Sequence, residues 1–274
     1  MKFSIPIFII LLFLQGCTTE SKVPLKKSSL EHKIVLDTNK TYTDNEDEAF
    51  DDDTSGFDDE FEEEKEVVDP LYTYNTFMTS VNDTIFIYAL NPISIGYQKV
   101  VPEIIQNSLF NAYHNIRFPI RFVNNLLQGK LKNTLDESER FLINSTVGIA
   151  GLFDPAKHYL QIHPHNEDFG QTLGYYGVSS GIHVVLPIWG PSNIRDIVGL
   201  SVDGYLSPIL YQDALKAYRI PNNYPEAIAL YGLDVVNKNA LNLGAYESLK
   251  KDAIELYPFL RDIYEQKRTS DIED

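Results

Sequence analysis

Apolar residues recur at helical spacing through most of the second two-thirds of the chain. After Pro102, which suits a first helical position, Ile105, Leu109, Ala112, Tyr113 and Ile116 share one face. Ile120, Val123 and Leu127 continue the period after Pro119. Thr134-Leu135-Asp136-Glu137 has the form of a capping box and predicts the start of a helix carrying Phe141, Leu142 and Ser145 up to Gly148. Ser207-Pro208 predicts another, with Ile209, Leu210, Ala214 and Leu215. Pro225 opens the next, through Val236, and a last helix covers about 246–267 with an interruption near Pro258. The run 182–188 (IHVVLPI) is the best strand, although Pro187 makes it a poor central one. The fold class is therefore mainly α.

The start of the chain follows another pattern. Lys2 precedes an apolar stretch, Phe3 to Leu14, that is too short to span a bilayer and right for a signal peptide. It ends in Leu14-Gln15-Gly16-Cys17, and Cys17 is the only cysteine of the 274 residues. This is similar to a bacterial lipobox, in which cleavage precedes a lipid-modified cysteine. Residues 1–16 are thus expected to be a lipoprotein signal peptide and Cys17 a lipid anchor. Thr18 in place of an Asp after the cysteine points to the outer membrane.

Composition changes sharply after Cys17. Residues 44–66 hold fourteen Asp and Glu and one Lys, which accounts for −13 of the net charge of −16. Such density repels itself and buries nothing, so 17–68 is expected to be a disordered acidic tether of roughly 40 Å reach. The balance also argues against nucleic acid as a partner. The body is expected to run over 69–268, with 269–274 as a polar tail.

Catalytic patterns are weak. Gly177-Val178-Ser179-Ser180-Gly181 has the G-x-S-x-G form, but a strand-like run follows it and only His183 comes later, with no acid between. His163, His165, Glu167 and Asp168 offer metal-ligand chemistry without a second half-site, and a polar loop fits them better. No enzyme, metal or cofactor is expected.

Four blocks of the body resemble the MlaA (VacJ) outer-membrane lipoprotein family. Asp69-Pro70-Leu71 with Tyr74-Asn75 resembles its opening motif, and Leu127-Gln128-Gly129 its turn. Residues 140–148 through Gly151-Leu152-Phe153-Asp154 resemble its helix-to-glycine block. Phe169-Gly170 through Gly174 to Gly177, followed by Leu186-Pro187 and Arg195-Asp196, resembles the longest block. Thr76 departs from the family, which has Arg there, and the long tether is also unusual.

The resemblance implies a single ring-shaped helical domain with a central amphipathic channel. It implies removal of mislocalised phospholipids from the outer leaflet, transfer to a soluble periplasmic carrier, and association with a porin trimer. Gly148, Gly151 and Asp154 would belong to a flexible channel-side loop. Arg195 either pairs with Asp196 or meets a lipid phosphate. An alternative is a structural lipoprotein that scaffolds porins or cell wall through its acidic arm, and a third is an esterase using Ser179.

Overall fold

The computed structural model describes residues 69–211 and 218–274. The signal peptide, Cys17 and the acidic tether lie outside the described residues. Helix α1 (Tyr72–Ile85) passes through a π-helical turn (Phe86–Leu90) into α2 (Asn91–Val100). Then follow α3 (Glu103–Ile116), α4 (Phe118–Leu127), α5 (Leu131–Thr146), α6 (Pro155–Leu160) and α7 (Phe169–Tyr175). A hairpin, β1 (His183–Leu186) and β2 (Gly190–Asn193), precedes α8 (Ile194–Leu206), α9 (Tyr224–Leu241), α10 (Ala245–Lys251) and α11 (Leu256–Glu273). The two strands pair antiparallel from His183 opposite Asn193 to Leu186 opposite Gly190, which leaves Pro187 just past the ladder.

Local chemistry fixes several ends. Asp154, Asn193 and Asn223 cap their helices through the N–H groups of Lys157, Asp196 and Glu226, and Asp168 forms a capping box with Gln171. Gly129 (φ 73°) and Gly177 (φ 83°) take the left-handed conformation after α4 and α7. There the N–H of the next residue reaches back to Asn125 and Leu173, closing each helix.

Four sequence expectations change. Thr134 and Glu137 lie inside α5, which starts at Leu131. The Thr134 hydroxyl donates to Lys130 O, and Glu137 is drawn into the interior by Arg121 and the His165 N–H. Residues 207–211 are not helical, Ser207 being the C-cap of α8, while Ala214 and Leu215 lie outside the described residues. The last helix is two helices broken at 252–255, and Pro258 sits in the first turn of α11. Residues 269–273, expected as a tail, are the last turn of α11, with Ile272 against Gly174.

The helices pack in a closed cycle: α1, α2, α9, α3, α4, α7, α11 and back to α1. Its interior is polar. Among the described residues eight apolar side chains other than proline are buried against twenty-eight polar or charged ones, so burial of hydrocarbon does not organise the inside. Helix α5 buries Thr134, Glu137, Arg140 and Asn144 while Leu131, Leu135 and Leu142 are each more than 60% exposed. A water-soluble domain does the reverse.

Polar anchors replace the usual apolar contacts. Asn75 is fully buried on α1. Its amide donates to His183 O (3.1 Å) and Tyr257 Oη (2.9 Å), and its oxygen accepts from Val185 N (2.8 Å). Two turns on, Asn82 holds Leu186 O and the Ile188 N–H in the same way, so α1 grips both ends of β1. Tyr257 in turn donates to Asp69. Asn75→Ala strands a buried donor and a buried acceptor and should cost about 2–4 kcal/mol. Denaturant unfolding of the purified chain checks this; an unchanged midpoint would show that the hairpin is not held from α1.

Candidate functional site

A cavity of about 300 Å³ opens inside the cycle, lined from α3, α4, the hairpin, α8, α9 and α11. On one side Arg268, 2% exposed, is bonded to two carboxylates at once. Its guanidinium reaches both oxygens of Asp168 (2.8 and 2.9 Å) and both of Asp196 (2.9 and 2.8 Å). Asp196 also accepts from Tyr264 Oη (2.6 Å) and Arg195 Nε (3.0 Å). Burial pushes the Asp196 carboxyl up, but Arg268, Tyr264 and Arg195 together outweigh it and hold it below the usual carboxylate range.

Glycines allow this convergence. A Cβ on Gly199 would lie 2.3 Å from Gly170 N, and one on Gly170 would lie 2.4 Å from the Asp196 carboxylate. Helices α7 and α8 therefore cross backbone to backbone, which brings Asp168 and Asp196 to one guanidinium.

His114, Arg117 and Arg121 also line the cavity. Arg121 Nε bonds to Glu137 (2.7 Å) and its Nη1 to His114 O (2.8 Å). His114 Nε2 faces Asn166 Oδ1 (3.0 Å); burial, reinforced by Arg121, pushes its pKa well down, so the ring is neutral. Lys238 bonds to Asp234 (2.7 Å) and lies 5.1 Å over the Tyr113 ring. Asp203, 4% exposed, accepts from Asn124 Nδ2 (2.9 Å) and Phe169 N (3.0 Å). Burial and the nearby Asp168 raise its pKa to about 7.

The residues singled out in the sequence divide into three places. Asp196 lines the cavity, and Phe169, Gly170 and Arg195 stand behind the lining: Phe169 N donates to Asp203, Gly170 leaves room for the Asp196 carboxylate and Arg195 Nε donates to it, with Gly174 packed on Ile272 and Arg195. Asp69, Pro70 and Asn75 stand at the start of α1 and tie it to the hairpin and α11. Gly148, Gly151 and Asp154 form the α5–α6 loop, where Ile149 and Ala150 have φ of 52° and 56°. Asp154 is bonded to Arg140 (2.8 Å) and Asn144 (2.9 Å) there. Gly129 and Gly177 are helix ends.

The possible metal ligands are engaged among themselves and their neighbours: Glu167 with Lys130 and Gln128, Asp168 with Arg268, His165 with Asp136. Ser179 Oγ accepts from Gly181 N, while His183 Nδ1 faces Glu265. Sequence reasoning missed Arg121, Glu137, Arg140, Gly199, Asp203 and the role of Arg268. Glu137 and Arg140 three apart, and Asp196, Gly199 and Asp203 along one side of α8, were the available signals.

A profile of the MlaA lipoprotein family matches residues 67–271. The chain is 32% identical over 204 residues to the intermembrane phospholipid transport system lipoprotein MlaA of Haemophilus influenzae, covering 72% of this chain and 76% of that one. To the protein of the same name from Escherichia coli it is 28% identical, covering 73% and 76%. A chain from a solved structure reported as "Structural basis for maintenance of bacterial outer membrane lipid asymmetry" superposes with a TM-score of 0.62 at 26% identity, covering 75% of this chain and 99% of that one. The mainly helical body, the closed cycle of helices and these likenesses agree: the chain belongs to the MlaA lipoprotein family.

Proposed function

We propose that this protein is an outer-membrane lipoprotein, anchored through Cys17, whose body lets phospholipid headgroups leave the outer leaflet without chemical change. The observation that carries this reading is the inverted polarity of the body. Apolar side chains such as Leu135, Leu142, Val147 and Ile104 face outward, and charged groups line an inner cavity. No helix among the described residues is long and apolar enough to cross a membrane. A body of this kind suits one leaflet, with acyl chains against its outer faces.

A headgroup crossing hydrocarbon forfeits its hydrogen bonds, at a cost of several kcal/mol and more when charged. The cavity offers replacement partners along such a path while the tails stay in lipid. The α5–α6 loop, with two non-glycine residues in the left-handed region, is the movable element in this reading. Two or more acyl chains on Cys17 would make the attachment stable. The names of the relatives from Haemophilus influenzae and Escherichia coli support a phospholipid cargo. The family resemblance adds a soluble periplasmic carrier as recipient and a porin trimer as neighbour in the membrane.

The test is the phospholipid content of the outer leaflet in cells lacking the protein. Accumulation is expected, reversed by the wild type and not by Cys17→Ala. An unchanged outer leaflet in the deletion strain would overturn the proposal.

A further inference from the structure

The cavity holds several carboxylates, and they are not equivalent. Asp168 and Asp196 are both bound by Arg268, and Glu167 by Lys130. Asp203 differs: among the described residues no Lys, Arg or His lies within ion-pair distance of it. Each of its oxygens takes a single neutral N–H, from Asn124 on one side and from the Phe169 backbone on the other. A carboxylate offers about four acceptor sites, so Asp203 retains capacity toward the cavity it lines. Burial and the neighbouring Asp168 disfavour its charged form, and Arg117, which also lines the cavity but lies beyond ion-pair distance, offsets them only in part.

The lining cations are themselves engaged. Arg121 is bonded to Glu137, Lys238 to Asp234 and Arg268 to its two aspartates. The site therefore has cationic donors held by their own counter-charges and, among the described residues, one carboxylate that no cation approaches to ion-pair distance, Arg117 acting on it only from further away. A group that supplies a cation with N–H donors relieves that deficit. An anionic headgroup brings a charge of the wrong sign.

We infer that the cavity selects phospholipids whose headgroup carries a protonated primary amine, phosphatidylethanolamine being the plain case, and that Asp203 is the residue that makes the selection. This rests on the cavity being the headgroup path proposed above.

The test uses the full chain in detergent micelles carrying equal amounts of phosphatidylethanolamine and phosphatidylglycerol, and in a second arm phosphatidylethanolamine and phosphatidylcholine. Lipid retained by the purified protein is quantified by mass spectrometry. One charge-assisted hydrogen bond to a buried carboxylate should enrich the ethanolamine lipid about tenfold over phosphatidylglycerol. The enrichment over phosphatidylcholine should be several-fold, because its quaternary nitrogen has no N–H to donate. Asp203→Asn should bring both ratios close to those of the micelle.

Lipid retained by the wild type without preference overturns the selection and leaves the headgroup path standing. No lipid retained at all overturns both. An Asp203→Asn protein that unfolds like the wild type yet keeps the preference overturns the role of Asp203. Should that variant fail to fold, the wild-type comparison of ethanolamine with choline lipid still decides, equal retention overturning the inference.

Discussion

Replacing Arg268 by alanine should lower the folding stability of the body by about 3–5 kcal/mol at neutral pH, because it removes one partner of a buried ion cluster and leaves the other charges behind. The cost comes from the geometry. One guanidinium on α11 satisfies four carboxylate oxygens, two on Asp168 at the start of α7 and two on Asp196 in the first turn of α8. Without it, Asp196 keeps Arg195 and Tyr264 but loses the contact that does most to hold its pKa below the usual range. Burial then pushes that carboxyl upward. In the wild type, stability owed to the depressed Asp196 is present above its unfolded-state pKa of about 4 and is lost as pH falls through the folded value. The variant lacks most of that stability. Its deficit should therefore be greatest at neutral pH and should narrow once Asp196 is protonated in the unfolded chain and the wild type alike. Arg268→Lys should recover only part, since a point ammonium cannot reproduce four directed bonds. Denaturant titrations at neutral and acid pH check both statements. A deficit that stays constant with pH would mean that packing of the Arg268 stem, rather than its charge, joins α11 to α7 and α8.

The interior built around Arg268 also explains which parts of the structure could be read from the chain. Helical periodicity was informative: Ile105, Leu109 and Ile116 do fall on one helix, α3. Periodicity reports that a helix has two faces and not which of them points inward. In α3 the buried residues are Gln106 and Asn115, while Ile104 and Ile105 are 66% and 48% exposed. A reader who assumes water outside assigns the faces the wrong way round. The strand at 183–186 and the helix start at Pro225 followed from local chemistry that does not depend on the solvent. The Thr134–Glu137 pattern misled because a Glu three residues after a Thr serves a cap only when the backbone N–H groups there are open. Here α5 begins a turn earlier and Glu137 is taken by Arg121, sixteen residues away in sequence. Asp203 escaped notice for a related reason. What sets it apart is that no cation among the described residues comes within ion-pair distance of it, and that depends on where Arg117, Arg268, Lys130 and Lys238 end up. The motif residues were legible as a set through the family resemblance. Their physical roles differ: Gly129 and Gly177 end helices, whereas Gly170 makes room for a neighbouring carboxylate and guanidinium.

Gly199 gives the second large effect, and a glycine elsewhere gives its control. A methyl group on Gly199 would sit 2.3 Å from Gly170 N and 2.7 Å from Gly170 Cα, and backbone cannot turn aside as the end of a long side chain can. Helices α7 and α8 would have to part, so Gly199→Ala should destabilise the body by about 3 kcal/mol, the cost of forcing extra volume into a close contact. The same shift draws Asp168 away from Arg268 and widens the cavity on the side where Asp196 lies, so whatever binds there should be released as well. Gly232, on α9, has nothing within 4 Å of the place a Cβ would take and no left-handed φ. Gly232→Ala should therefore be neutral or gain up to about 1 kcal/mol, since alanine loses less conformational freedom in a helix. Measured together by denaturant unfolding, the two substitutions separate the general cost of altering a helical glycine from the crossing of α7 and α8. If Gly199→Ala matched Gly232→Ala, the close approach that brings two aspartates to one arginine would have to be given up. The charge arrangement of the cavity, including the isolation of Asp203, would then need a different backbone to hold it.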